Sequence, residues 1–364
     1  MRGMVRTEKT VRTETADGER CRKGLPDAGA CSERCNAAWR RLMRYWGTPP
    51  AYYAGAYIRD GRLCVLLTTE DAAAVEGVLA GAGTGDVAVR RAQYSRRQLC
   101  EVFWRLHAAV FAEKPYPVVG LGIDEAANRV VAEVLCTAPE NETLRRIAAA
   151  YPCVEIVCKD EAYRPASRIG AGTADWICNP LGGASTVACC GSRASRGGAA
   201  ESGLVIAGHG GCVGDVMRIG GEPVGTVTRR VYGGPLDAAF VRLDRPDAFE
   251  LSRALSGGYT LSGWREVGLV GTAYALHGMS SGIAAGTVDS RCFSFVMDGK
   301  LFYNMIRMRI TAVCGDSGAP LTAQLGQHGG MNREIVGIYS GGDAEYGNFS
   351  KFSVFRRTFG FTLA

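Results

Sequence analysis

The chain has 364 residues, 47% hydrophobic and 21% charged, enough to bury a sizeable core in two or three modules. Its net charge of +6 is dispersed outside a few helical patches and reads as solvated surface; no RNA- or DNA-reading motif accompanies it, so no nucleic-acid partner is expected. No run of ~18 apolar residues occurs, so no membrane partner is expected either. Glycine, at 49 residues, suits a turn-rich β protein better than a helical one.

Residues 1–30 are polar and aperiodic. Met1–Lys23 is charged throughout and lacks the apolar core of a secretory signal. Over 33–47, Trp39, Leu42, Met43 and Trp46 recur at helical spacing with arginines opposite, which predicts a core-docked helix. Together, residues 1–50 form a polar N-terminus and helix.

An internal repeat follows over 51–160. Tyr52–Ile58 and Arg62–Thr68 read as a hairpin about Arg59-Asp60-Gly61, then come a helix over Glu70–Ala80 and a strand over Asp86–Arg91. The same ββαβ order returns in Val118–Ile123, Arg129–Leu135, a helix over Glu140–Ala150 and Val154–Val157. Between the units, Ser95 and Gln98 form a capping box that starts a helix with Leu99, Val102, Phe103, Leu106 and Val110 on one face. His107 lies beside that face and reads as structural.

Residues 159–186 carry Pro and Gly clusters and mark a boundary. Beyond it, short apolar alternations separated by glycine-rich turns predict an all-β domain: Thr186–Cys190, Gly203–Ala207, Val224–Arg229, Ala238–Leu243, Val267–Ala275, Phe293–Met297, Phe302–Ile310 and Ile335–Tyr339. Phe352–Phe361 fits a strand or a closing helix. The fourteen cysteines are even in number, but none is spaced as in a zinc ribbon or set with a histidine at ligand distance. Neither a metal nor another cofactor is expected.

The chemistry concentrates in three places. Gly203-Leu-Val-Ile-Ala-Gly-His209 is an apolar run ending in a histidine. Leu236-Asp237-Ala-Ala-Phe-Val-Arg-Leu243 sets a carboxylate at the start of a buried strand. Gly315-Asp316-Ser317-Gly318-Ala319-Pro320 sets a serine on a tight turn. A serine hydroxyl needs a base, and a base needs an orienting group, so the three types belong together. Of the other histidines, His107, His277 and His328, none ends such a run.

These motifs resemble those of chymotrypsin-fold serine endopeptidases, in the order His, Asp, Ser with gaps of 28 and 80 residues (237 − 209 and 317 − 237). The serine loop differs from the usual GDSGGP at Ala319 alone. His277-Gly-Met-Ser-Ser-Gly282 with Gly286-Thr-Val288, and Ile335-Val-Gly-Ile-Tyr-Ser-Gly-Gly342, are similar to strands of the bacterial streptogrisin and α-lytic protease branch. Val119-Gly-Leu-Gly-Ile-Asp124 with Asn128-Arg-Val-Val131 resembles a hairpin of the α-lytic pro-region.

The resemblance implies an α+β N-terminal region of two ββαβ units followed by an all-β two-barrel trypsin-like domain over 161–364. It implies Ser317 as nucleophile, His209 as general base and then acid, and Asp237 as its orienting partner. The N–H groups of Gly315 and Ser317 would form the oxyanion hole, while Ser340, Gly341 and Gly342 would line the substrate strand. Asp316 would need a buried cation, with Arg307 a candidate, and Cys189 or Cys190 would pair with Cys212. The partners implied are a polypeptide substrate and the chain's own N-terminal region, acting as folding catalyst and inhibitor, with self-cleavage in 159–186.

Two other readings use the same residues: a catalytically silent module that captures peptides, and an esterase working through the same triad. An ordinary binding module likewise accounts for the N-terminal repeat. Relatives of this type are exported, whereas no export signal is visible here, so secreted and cytoplasmic locations both stand open.

Overall fold

The computed structural model describes residues 25–364 apart from 84–86, 113, 115, 117, 137–141, 161, 166–176, 179, 181–183, 195–199, 250 and 325–329. The chain divides into two compact units. One comprises Met1–Ala162, Gly268–Thr272 and Val288–Gly299; the other comprises Tyr163–Val267, Ala273–Thr287 and Lys300–Ala364.

In the first unit the helix Leu25–Trp46 starts eight residues before its predicted onset (33 − 25). It buries Leu42 completely and packs Trp39, Met43 and Trp46 against Leu63, Val65, Leu67 and Val78. Strands Tyr53–Arg59 and Arg62–Leu67 are antiparallel, and Val87–Arg91 adds in parallel through the helix Ala72–Ala82. The hairpin turns on two residues with positive φ, Asp60 (50°) and Gly61 (72°), the conformation whose twist matches paired strands. The second set repeats this, with Gly120–Asp124 antiparallel to Arg129–Leu135, then the helix Glu142–Ala150 and the parallel strand Val154–Lys159.

The helix Arg96–Val110 begins with the predicted box, in which Ser95 Oγ accepts the Gln98 N–H and Gln98 Oε1 accepts the Ser95 N–H. The side chain of Asn128, in the second hairpin turn at φ 57°, accepts the N–H groups of Gln93 and Tyr94 just ahead of that helix. His107 is half-buried against Phe103, Trp104 and Phe111, and burial lowers its pKa.

Residues from much later in the chain complete this sheet. Ser294 pairs with Leu121 and Phe295 with Gly120, so the segment Val288–Met297 extends the strand Gly120–Asp124. A Cβ on Gly120 or Gly122 would lie 2.7 or 2.8 Å from the Phe293 ring, which accounts for the glycines of that hairpin. Beside them the buried Glu125 carboxylate meets Arg291 at 2.9 Å and Arg96 at 3.5 Å.

The second unit is two mainly antiparallel sheets, with Thr260–Trp264 added in parallel to Asn332–Gly342. In space, the first runs Phe361–Leu363, Cys189–Ala194, Ala200–Ile206, Leu236–Leu243, Glu222–Gly233, Val216–Ile219, Ile177–Cys178 and Ala184–Ser185. The second runs Ala273–Gly278, Pro320–Gln324, Asn332–Gly342, Tyr346–Lys351 and Lys300–Arg309. Ile206, Met217, Val227 and Val241 fill the first sheet's interior. A larger core joins Val205 and Phe240 to Ile335, Ile338 and Phe352. Phe352–Phe361 divides: a helix over Phe352–Phe359 stops at Gly360 (φ 62°), and Phe361 then starts a strand.

His277 in the second sheet is 4% exposed, with Nδ1 3.2 Å from Ser256 Oγ and Nε2 3.1 Å from Thr322 Oγ1. Burial and then the Arg333 guanidinium push its pKa down to about 4. The unfolded chain takes up this proton below about pH 6.5, whereas the folded chain resists until about pH 4. Stability is therefore lost as pH falls through that window, by roughly 3 kcal/mol in all. His277→Gln is expected to flatten the stability profile between pH 7 and 4, as read by urea unfolding. Identical slopes for parent and variant would remove His277 as the cause.

Candidate active site

His209 follows the strand Ala200–Ile206 on a short helical turn, Gly208–Gly210. A Cβ on Gly208 would stand 2.2 Å from the Val231 carbonyl and 2.8 Å from Asp237 Oδ1, so a side chain there would force backbone and carboxylate apart. Asp237 is the second residue of Leu236–Leu243 and has no exposed surface. Its Oδ1 accepts the His209 backbone N–H at 3.0 Å, and its Oδ2 lies 2.8 Å from His209 Nδ1. The other ring nitrogen, Nε2, is 2.7 Å from Ser317 Oγ. The Asp237 backbone N–H donates to Ser350 Oγ at 2.8 Å, which anchors the main chain at this residue. Tyr232 lies beside the imidazole, ring centres 5.9 Å apart.

The serine loop is held by its own backbone. The Asp316 N–H donates to Val313 O, the Ala319 N–H to Asp316 O and the Gly318 N–H to Tyr339 O. Gly315 and Gly318 take φ of 101° and 86°, where a side chain would be strained. The Asp316 carboxylate receives N–H groups of Ser280, Ser281 and Val313 at 2.9–3.1 Å, together with the Ser281 hydroxyl. Among the described residues its partners are all neutral donors rather than the buried cation expected for it. Arg307 instead stacks over the Tyr346 ring at 4.7 Å, and neutral donors satisfy the carboxylate. Gly278 makes this possible, since a Cβ there would lie 2.3 Å from Asp316 Oδ1.

Two supporting residues carried no sequence signal. Ser185 Oγ and the Thr186 N–H both donate to Ser317 O, at 2.9 and 2.7 Å, and Thr186 Oγ1 donates to Gly315 O at 2.9 Å. They lie about 130 residues from the loop, Ser185 in the boundary stretch and Thr186 at the start of a predicted strand. The thiol pairing expected near His209 is absent: Cys189, Cys190 and Cys212 are free. Cys189 is buried with Val205 and Phe240, whereas Cys212 is exposed and its sulfur meets Arg230, so the two sulfurs face different surroundings. Burial raises the pKa of Cys189 and Cys190 and keeps both as thiols. Among the described residues no group of His, Cys, Asp and Glu could hold a metal ion.

Ser340, Gly341 and Gly342 end the strand Asn332–Gly342, and Ser340 is fully buried with its Oγ 3.4 Å from Ser350 Oγ. The site thus joins a hydroxyl, an imidazole that bridges it to a carboxylate, a glycine-bearing loop and a strand edge. Chemically, such an imidazole can take the hydroxyl proton while the carboxylate stabilises the cation formed.

No protein-family model matches the chain, and no curated protein matches it. Solved structures similar to part of this chain include Nocardiopsis protease, 24% identical over 52% of this chain and 95% of its own, with a TM-score of 0.42. Cellulomonas bogoriensis chymotrypsin is 22% identical over 52% of this chain and 96% of its own, TM-score 0.42. An alpha-lytic protease homologue, N4, is 20% identical over 52% and 97%, TM-score 0.42. The second unit is β-dominated.

Proposed function

We propose that the protein is a serine endopeptidase of the streptogrisin and α-lytic protease type. The observation that carries this is the imidazole of His209 standing 2.8 Å from Asp237 and 2.7 Å from Ser317. Ser317 Oγ attacks a peptide carbonyl while His209 Nε2 accepts its proton, and Asp237 holds the tautomer and stabilises the imidazolium. The backbone N–H groups of Gly315 and Ser317 receive the oxyanion. His209 then protonates the leaving amine, and water repeats the sequence on the acyl-enzyme. Ser340, Gly341 and Gly342 align the substrate as an added antiparallel strand.

The N-terminal region acts as a folding and inhibitory partner. The two ββαβ units that form it, each a hairpin with a parallel strand added, support this. A fluorophosphonate probe tests the catalytic reading, because an activated serine reacts with it and an ordinary one does not. Labelling of Ser317 with hydrolysis of peptide substrates is expected. A protein that stays unlabelled is the silent peptide-capturing module, and one that cleaves esters but no peptide is an esterase.

A further inference from the structure

The peptide unit that joins Gly208 to His209 is held at both ends. Its N–H donates to Asp237 Oδ1 at 3.0 Å. Its carbonyl, Gly208 O, accepts Arg230 Nε at 2.6 Å. The same guanidinium donates through Nη1 to the Cys212 sulfur at 3.4 Å, so it spans the helical turn Gly208–Gly210 from its first residue to a point just past its last. Its Cζ also lies 5.2 Å from the centre of the Tyr232 ring, and that ring stands 5.9 Å from the imidazole.

Strand pairing explains how one side chain makes all these contacts. In the hairpin of Glu222–Gly233 with Leu236–Leu243, Arg230 lies opposite Ala239 and Tyr232 opposite Asp237. Side chains two apart on a strand, and those directly across from them, share one face of a sheet. Arg230, Tyr232 and Asp237 therefore project together onto the face that His209 covers. Among the described residues Arg230 pairs with no carboxylate, and its polar contacts are a carbonyl and a thiol.

Those contacts bear on the general base. A hydrogen bond from a cation is roughly twice as strong as one between neutral groups. Placed on the Gly208 carbonyl, it polarises the peptide and makes the His209 N–H a better donor to Asp237. It also fixes the plane from which the His209 side chain departs. The imidazole Nε2 must stay within reach of Ser317 Oγ, 2.7 Å away. A displacement of about 1 Å in such a group can cost about 100-fold in rate.

We propose that Arg230 is a positioning residue for the general base. By gripping the Gly208 carbonyl and bridging to Cys212, it sets the orientation of His209 and the bond from the His209 N–H to Asp237. This rests on the serine endopeptidase reading above. Arg230 works through His209 and Asp237, and the reacting hydroxyl is Ser317's.

The test follows the reaction of the full-length protein with a fluorophosphonate probe, resolved into the inactivation rate kinact and the probe's binding constant KI. Arg230→Met keeps the side-chain length and loses every donor, and it should lower kinact by about 10- to 100-fold with KI unchanged. Arg230→Lys keeps the charge, but one ammonium cannot span both contacts, so its rate should fall between parent and Arg230→Met. Methylguanidinium, at concentrations too low to shift urea unfolding, should raise kinact of Arg230→Ala by about tenfold, a recovery that a general loss of packing does not show. In a His209→Ala background, Arg230→Met should change the residual rate less than about twofold, because residues that act as one unit do not lose additively. An Arg230→Met protein that labels as fast as the parent overturns the proposal and leaves the protease reading standing. Equal losses in the two backgrounds overturn it as well, since Arg230 would then act without His209. A parent that never labels brings down the serine endopeptidase reading, and this proposal with it.

Discussion

Ser317→Ala is expected to lose roughly five to six orders of magnitude in kcat, with the fold unchanged, because nucleophile and base act as one unit. The exchange removes one oxygen from a fully buried position and ends the 2.7 Å contact with His209 Nε2. His209→Ala should cost about as much, and the double variant little more than either single one. Single-turnover hydrolysis of a peptide anilide measures all three. Losses that multiply in the double variant, or a Ser317→Ala protein within tenfold of the parent, would mean that the hydroxyl and imidazole do not act together.

A second large effect is expected in the first unit. Glu125→Ala should destabilise the first unit by about 3–5 kcal/mol, since it strips the counter-charge from two buried or half-buried guanidiniums. Burial pushes the Glu125 carboxyl up, but Arg291 and Arg96 outweigh it and hold its pKa below the ordinary value. The carboxylate therefore contributes stability above its unfolded pKa and loses it as pH falls through the folded one. Adding Arg291→Met to Glu125→Ala should recover part of the loss, because a packed apolar chain replaces an uncompensated charge. Denaturant unfolding of the full chain reads both. A Glu125→Ala cost below about 1 kcal/mol would show the cluster to be solvated in practice.

The sequence carried the local physics well. Period-two patterning marked most strands, and the Ser95–Gln98 box and the Asp60-Gly61 turn declared themselves because their geometry is set by adjacent residues. The triad residues were legible because each sits at a strand end or tight turn with a distinctive chemical type. What stayed hidden depends on distant partners. The strand Tyr346–Lys351 buries Gly347, Asn348 and Ser350, so it has no apolar alternation to announce it. Ser185 and Thr186 matter only through carbonyls about 130 residues away. The neutral cradle of Asp316 depends on Gly278 lacking a side chain, a space that a one-dimensional pattern does not encode.

The first unit counts Val288–Gly299 among its residues, and this puts a clock on its synthesis. A ribosome that has finished Ala162 must still add 137 residues (299 − 162) before the last of that unit exists. At about 5–20 residues per second, that is an interval of roughly 7 to 27 s. Throughout it, the edge of Gly120–Asp124 that will receive Ser294 and Phe295 is unpaired, and Glu125 lacks Arg291. The N-terminal region therefore gains its last strand only after most of the chain has been made. The nascent chain carries an open sheet edge, the kind that invites pairing with other chains, until the late strand arrives to close it.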